Sequence, residues 1–327
     1  MHSPRLCIDG RCDRNSYGAL VAEEIINQLV ACQGEPSATN EWIERGRTVL
    51  LAHPDQIFEG QWRRYNTKMP VGLSPLYWAW ERNFVKEASL SVFHKFRQAD
   101  RLGLRLPCET VTTVLSPGAI PKPLRLNSRD QIFVVPSHRD RTRLMRESHI
   151  AAEKIHVVRP TVRRYCFFCE SPKLRTDGKI LLIGENARYQ QRLSSILKGR
   201  FPTQSVEALS FKGRKEVEPL EWLKLIDQTA FAVYLVDKPY DWATLALELF
   251  YWGVPVVFPD ENGPLNELLP LSPLRLSSFL VNQPDLSGLK KMAEEAGAQL
   301  DEANVFEPLS FARQYGKIYS SLPQRTQ

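Results

Sequence analysis

The sequence predicts an α/β protein of two doubly wound domains, each built on a parallel sheet. Three observations lead there. Short continuous apolar runs alternate with segments of helical period along the chain, as strands buried on both faces alternate with covering helices. A proline-bounded stretch, Pro160 to Thr176, interrupts that alternation near the middle. The length of 327 residues fits two domains better than one.

Leu6-Cys7-Ile8-Asp9 reads as the first strand. After a polar loop, Ser16 is the expected N-cap of a helix whose Val21, Ile25 and Leu29 fall on one face. Residues 48–52 form a short apolar run and a second strand. From Val71 to Lys95 the aromatics Tyr77, Trp78, Trp80, Phe84 and Phe93 crowd among charges, with Phe96 just beyond, and an irregular segment packed on the sheet is expected. Strands follow at 110–115 and 132–135, the latter closed by Pro136-Ser137. A helix over 141–152 and a strand over 154–158 complete a first domain spanning 1–160.

The predicted linker, 161–178, carries Arg163-Arg164 and Cys166-Phe167-Phe168-Cys169. Beyond it the alternation is cleaner, with a strand over 179–183 ending at Gly184 and a helix over 189–197. Next come a strand over 205–211 and a helix over 219–227 with Pro219 in its first turn. A strand over 231–236, a helix over 242–252 stopped by Gly253 and a strand over 254–258 follow. The second domain runs over 179–305. In the last segment, 306–327, Phe311, Tyr315, Ile318, Tyr319 and Leu322 make one apolar stripe.

Composition excludes several classes. Hydrophobic residues are 43% and charged residues 24%, ordinary for a soluble globular chain. No apolar run is long enough to span a bilayer and no signal-peptide core opens the chain, so a soluble cytoplasmic protein with reduced thiols is expected. The six cysteines are scattered. Cys166-x-x-Cys169 lacks a second pair at zinc spacing, so it is read as apolar packing with Phe167 and Phe168. The net charge of +6 is concentrated between Lys122 and Arg175, with Arg139, Arg141, Arg143 and Arg146 flanking Asp140. A solvated helix face accounts for that cluster. The alternative is a binder of nucleic acid or anionic surfaces through 139–164, including peripheral contact with a membrane.

The chemistry-bearing motifs lie in the second half. In order they are Phe211-Lys212-Gly213, the helix ending at Asp227, the strand 231–236, Leu247-Glu248, Gly253-Val254-Pro255-Val256-Val257, and Asn262-Gly263-Pro264-Leu265-Asn266-Glu267. This series resembles the nucleotide-sugar-binding half of retaining GT-B glycosyltransferases of the family 4-like group. Val135-Pro136-Ser137 and Lys154 to Pro160 resemble the end of that family's first domain. Leu309 to Tyr319 resembles its closing helix, which returns to the first domain.

The resemblance implies two Rossmann-like domains facing a cleft, and sugar transfer with retention from a nucleoside diphosphate sugar to an unknown acceptor held by residues 1–130. It implies no cofactor and no metal, the nucleotide sugar being substrate. Glu248 is then expected to accept from ribose hydroxyls, and the amides from Gly263 to Glu267 to face the sugar or diphosphate. Arg188 and Arg192 are the expected diphosphate partners. His94 falls where some members hold an acceptor-side histidine. Counting back from Glu248 by the family's spacing reaches Tyr240, with Asp241 beside it, so these are the catalytic candidates. Tyr240 replaces the family's carboxylate, and Asp241 would serve only after a shift of one position. The family's Lys-Gly pair does not follow the strand over 179–183 at the family's place, since Lys198-Gly199 comes at the helix end. Those departures motivate an alternative, a catalytically degenerate GT-B-fold binding or scaffold protein with a protein partner.

Overall fold

The computed structural model describes residues 6–9, 48–52, 63–66, 83–87, 90–95, 106, 108–114, 131–169, 177–210, 219–236 and 242–322. The helix expected from Ser16, the Phe211-Lys212-Gly213 motif, Tyr240 and Asp241 lie outside the described residues. The chain forms two compact units, one holding the described residues up to Arg159 together with those from Leu309, the other Pro160–Pro308.

The first unit is built on seven strands, β1 (Leu6–Asp9), β2 (Thr48–Ala52), β3 (Arg63–Asn66), β4 (Val92–Lys95), β5 (Glu109–Thr113), β6 (Gln131–Val135) and β7 (Ile155–Val157). Their order is β3-β2-β1-β4-β5-β6-β7 and every pairing is parallel. The chain runs outward from β1 to β3, returns to the other side of β1 with β4, and continues to β7. The topological switch point is therefore the β1/β4 pair, where Cys7 lies beside Phe93 and Asp9 beside Lys95.

Helix α1 (His138–Ser148) is started by a reciprocal cap. The Ser137 hydroxyl accepts from the Asp140 amide at 3.0 Å and donates to the Asp140 carboxylate at 2.5 Å. Leu144 then packs with Val114, Phe133, Val135, Ile150 and Ile155. Cys7, Phe93, Cys108 and Leu106 form another cluster with Val85 from the helical turn 83–87 and Leu90.

The second unit holds β8 (Lys179–Ile183), β9 (Val206–Leu209), β10 (Thr229–Tyr234) and β11 (Val256–Val257), in the order β11-β10-β8-β9 and all parallel. Its helices are α2 (Ala187–Arg200), α3 (Pro219–Asp227), α4 (Thr244–Tyr251), α5 (Gly263–Leu268), α6 (Leu276–Asn282) and α7 (Leu286–Glu302). Gly178 precedes β8 because a Cβ there would lie 2.7 Å from the Gln228 carbonyl oxygen and 2.8 Å from the Ala230 nitrogen. At the other end of the strand, the buried Gln190 amide of α2 reaches the carbonyls of Leu182, Gly184 and Leu209 at 3.1–3.3 Å. It fastens that helix to the carboxyl ends of β8 and β9.

Helix α8 (Ser310–Ser321) belongs to the first unit. Its Tyr319 hydroxyl lies 2.5 Å from Nδ1 of His94, and Nε2 of His94 lies 2.9 Å from the Thr113 hydroxyl. Thr113 in turn is 2.7 Å from the Tyr315 hydroxyl. Burial pushes both tyrosines' pKa values up, so both hydroxyls keep their protons in this chain of hydrogen bonds. All four side chains are buried.

Two expectations are corrected. The aromatic stretch before Lys95 contains a central strand, β4, whose pattern is masked in sequence because His94 and Lys95 are polar yet buried. The linker expected over 161–178 is built into the second unit up to Cys169. Thr161, Val162, Arg163 and Cys166 are buried, and the Thr161 hydroxyl donates to the Val305 carbonyl at 2.5 Å.

The Tyr319→Phe variant leaves Nδ1 of His94 without its partner and should cost about 1 to 3 kcal/mol. Faster amide exchange over 310–322 than in the parent is the expected signature; unchanged exchange would show that the polar chain does not hold α8. Half-buried His156 in β7 has a pKa pushed below the usual 6.5, first by burial and then by the Arg141 charge. The unfolded chain therefore takes up that proton first, and stability, full above pH 6.5, should decline as pH falls below it. His156→Gln should flatten this acid limb in urea titrations.

Candidate functional site

The carboxyl ends of all four strands of the second unit open onto one pocket of about 1010 Å³. Such an edge, next to a switch point, here between β8 and β10, is where open parallel sheets bind ligands. After β8 its wall is formed by Glu185, Asn186 and the first turn of α2, Ala187-Arg188-Tyr189. Ser210 follows β9, Leu235 and Val236 follow β10, and Pro259, Asp260 and Glu261 follow β11, with Leu276 beyond.

Local hydrogen bonds fix this wall. The Asn186 side chain accepts from the Tyr189 amide at 3.1 Å and so starts α2 at the pocket edge. The Asn262 amide donates to the Val236 carbonyl at 2.9 Å, and its oxygen caps α5 through the Leu265 amide at 3.0 Å. The Asp260 carboxylate takes the Ser277 amide at 3.1 Å and the Ser277 hydroxyl at 2.5 Å, tying the start of α6 to the same edge.

The wall carries three carboxylates, one arginine, a tyrosine and an apolar strip. Carboxylates accept from hydroxyls, arginine pairs with phosphate, and an aromatic or apolar strip accommodates a flat ring. The set matches a ligand that joins a ring, hydroxyls and an anionic group.

Helix α4 follows β10, so its N-terminus lies at the same carboxyl edge of the sheet. It begins after Ala243, held in the left-handed region at φ 55°, and among the described residues no side chain caps it. The Thr244 side chain is fully buried and its hydroxyl has no hydrogen-bond partner among the described residues. First-turn side chains tilt toward the helix N-terminus. Uncapped amides and an unpaired hydroxyl thus collect at this end.

The expected site residues separate. Arg188 is in the wall; Arg192, a turn further along α2, is exposed and outside it. Gly263 begins α5 and Glu267 is exposed near its end, and neither contributes to the wall. His94 belongs to the other unit and is buried, with both ring nitrogens occupied, so it offers no surface to an acceptor.

Glu248 also departs from expectation. Its carboxylate is fully buried in α4 and gripped by Arg163, with Nε at 2.6 Å from one oxygen and Nη2 at 2.8 Å from the other. The Arg163 amide and the Tyr165 hydroxyl add to the two oxygens at 3.3 and 2.9 Å. Burial alone would lower the Arg163 pKa, but Glu248 holds it well above its usual value. Burial and the same carboxylate keep Tyr165 protonated. No oxygen of Glu248 is left facing a ribose.

This pair also breaks up the basic segment 139–164. Arg163 is spent inside the second unit, Arg141 donates to the Ala152 carbonyl, Arg143 pairs with Glu147, and Arg164 lies over the Phe168 ring. Cys166 is buried and Cys169 half-buried. Among the described residues no His, Cys, Asp and Glu group is placed to hold a metal, and no helix is long and apolar enough to cross a membrane. Sequence reasoning missed Glu185, Asp260, Glu261 and Thr244. The readable signal was position, since the first three follow predicted strands directly.

No protein-family model and no curated protein matches the sequence. Solved structures match over nearly its whole length. A glycosyltransferase from Rickettsia africae ESF-5 is 13% identical with a TM-score of 0.62, covering 99% of this chain and 100% of that one. Anabaena HepE in complex with UDP and glucose is 12% identical with a TM-score of 0.62, over 98% and 100%. The apo form of WaaB, a lipopolysaccharide outer core galactosyltransferase, is 11% identical with a TM-score of 0.59, over 97% and 100%. The chain has the GT-B glycosyltransferase fold, in a divergent sequence.

Removing one partner of the buried pair, as in Glu248→Ala, should cost about 3 to 5 kcal/mol. The double replacement Arg163→Met with Glu248→Leu should cost clearly less, because no charge is left uncompensated. Urea midpoints of the three proteins decide this. A single variant as stable as the parent would mean that the carboxylate is not confined to Arg163.

Proposed function

We propose that this protein is a glycosyltransferase that moves a sugar from a nucleoside diphosphate sugar to an acceptor, with the nucleotide bound in the pocket of the second unit. The observation that carries it is that pocket, with Arg188 and three carboxylates gathered at the carboxyl edge of a parallel sheet. The whole-length likeness to HepE, solved with UDP and glucose, supports the same assignment. Retention follows from the resemblance of 211–267 to the retaining class.

Roles within the pocket follow from the chemistry. Arg188 and the uncapped α4 amides with Thr244 bind the diphosphate and stabilise the charge that grows on it as the glycosidic bond breaks. The ribose hydroxyls go to wall carboxylates, Glu185 or Glu261, because Glu248 serves as the counter-ion of Arg163. Tyr240 and Asp241 complete the sugar side, with no metal required.

A second reading is favoured by one observation. Glu248 is locked by Arg163, and with Tyr240 in place of a carboxylate the fold would keep nucleotide binding and lose transfer.

A thermal-shift panel of nucleoside diphosphates and their sugars, combined with assay of nucleotide release, separates the readings. Ligand at a hundred times its Kd stabilises by about 2.7 kcal/mol. Arg188→Ala and Thr244→Val should each weaken diphosphate binding roughly ten- to a hundredfold, the worth of about 1.5 to 3 kcal/mol, while leaving the unliganded melting temperature nearly unchanged. Binding without turnover selects the degenerate reading. No response to any nucleotide overturns both.

A further inference from the structure

The pair Cys166-x-x-Cys169 takes no part in the wall of the pocket. Packing, the role expected from its aromatic neighbours, accounts for half of it. Cys166 is buried, and Phe167 meets the Tyr251 ring of α4 edge to face at 5.5 Å. Phe168, by contrast, is 73% exposed beneath the Arg164 guanidinium, and Cys169 is half-buried. A reachable thiol beside a buried one, next to an exposed phenylalanine, is not what core packing produces.

The backbone brings the two cysteines together. Arg164–Phe167 is one turn of 3₁₀ helix, a conformation in which side chains three apart eclipse. Phe168 continues in right-handed helical backbone, and its amide and that of Cys169 both donate to the Tyr165 carbonyl, at 3.0 and 3.2 Å. A four-residue turn of this kind sets its end Cα atoms less than about 7 Å apart. Disulfides bridge Cα atoms about 4.4 to 6.8 Å apart. Both cysteines are thiols in this structure.

The same segment holds α4 at two points one turn apart. Arg163 and Tyr165 grip Glu248, and Phe167 packs on Tyr251. Cys166 lies close enough to Arg163, Tyr165 and Tyr251 to act on all three electrostatically, so it sits among the groups that hold the helix. Unwinding of this turn releases α4, and a bridge across the turn removes the unwound conformations.

We propose that Cys166 and Cys169 are a reversible disulfide site whose closure latches the turn 163–169 onto α4. The oxidant is a low-molecular-weight disulfide. The thiolate of Cys169, the more accessible of the two, attacks one sulfur of that disulfide, forms a mixed disulfide and releases the other half as a thiolate. The Cys166 thiolate then attacks the Cys169 sulfur, closing the internal bond and releasing the second half. Two protein thiols are oxidised, one external disulfide is reduced to two thiols, and the two protons leaving the protein pass to the leaving groups. This modification stands apart from the glycosyltransferase reading and needs no nucleotide.

The test equilibrates the full-length protein with oxidised and reduced glutathione at graded ratios, followed by acid quenching, alkylation and peptide mapping by mass spectrometry. A peptide carrying the Cys166–Cys169 bridge should accumulate in the parent. Cys166→Ser should instead stop at a glutathione adduct on Cys169, because the resolving thiol is gone, and Cys169→Ser should leave buried Cys166 unreacted. Amide exchange over 244–251 should slow roughly three- to tenfold on oxidation of the parent and stay unchanged in Cys169→Ser. A parent that ends as a stable adduct on Cys169, or whose two thiols do not react while it is folded, overturns the site. A bridge that forms without slowing exchange in α4 overturns the latch. Should Cys166→Ser fail to fold, the parent and Cys169→Ser decide both points.

Discussion

Parallel pairing is the constraint on which the rest of this structure depends. Each pair of parallel strands needs a crossover, and the crossovers cover both faces of the sheet, so every loop after a strand leaves from the same edge. The carboxyl edge then gathers strand ends whose backbone groups need partners. In the second unit side chains supply them, with Gln190 bonded to the carbonyls of Leu182 in β8, Gly184 just after it and Leu209 in β9, and Asn262 to that of Val236 beyond β10. Because these two residues anchor α2 and α5, the pocket between them has a fixed outline. The arrangement that satisfies the backbone also creates the concavity.

The buried Arg163–Glu248 pair weighs differently. Taking two charges out of water costs several kcal/mol per ion, and a bidentate geometry with a tyrosine hydroxyl returns most of it without much surplus. Stability alone therefore gives weak grounds for the pair. Its geometric effect is larger, because it joins the segment that opens the second unit, from Pro160, to the middle of α4. The N-terminus of α4 is the one that starts uncapped at a left-handed alanine. A helix with an unsatisfied end needs a firm hold elsewhere, and the ion pair provides it one turn downstream of that end.

Much of the fold was legible because the parallel strands are apolar runs. β1, β2 and α3 match the predicted bounds, and β6, β8 and β10 fall within a residue or two. What was hidden has specific causes. β3 is Arg63-Arg64-Tyr65-Asn66, an edge strand with no apolar run to show. β4 mixes Phe93 with His94 and Lys95, whose burial depends on partners or position supplied by distant parts of the chain. Helix α4 was expected two residues early, since nothing in Trp242-Ala243 announces a left-handed alanine. In the site, Arg188 was found because a cation after a strand is visible. Glu248 was assigned to a ribose because its true partner, Arg163, lies in what reads as a linker. An ion pair spanning 85 positions leaves no local trace.

The two units treat buried polarity in contrasting ways, and the contrast separates structure from function. His94 in the first unit and Glu248 in the second were both expected at a reaction centre, and both are saturated by partners from remote segments. A polar group whose donors and acceptors are all matched inside the protein has nothing left to offer a ligand. Thr244 was not singled out by the sequence, yet its buried hydroxyl lacks a partner among the described residues. Folding gains nothing from it in that state, since it costs desolvation without a compensating bond. A residue that weakens the empty fold close to where ligands bind is where function is to be sought.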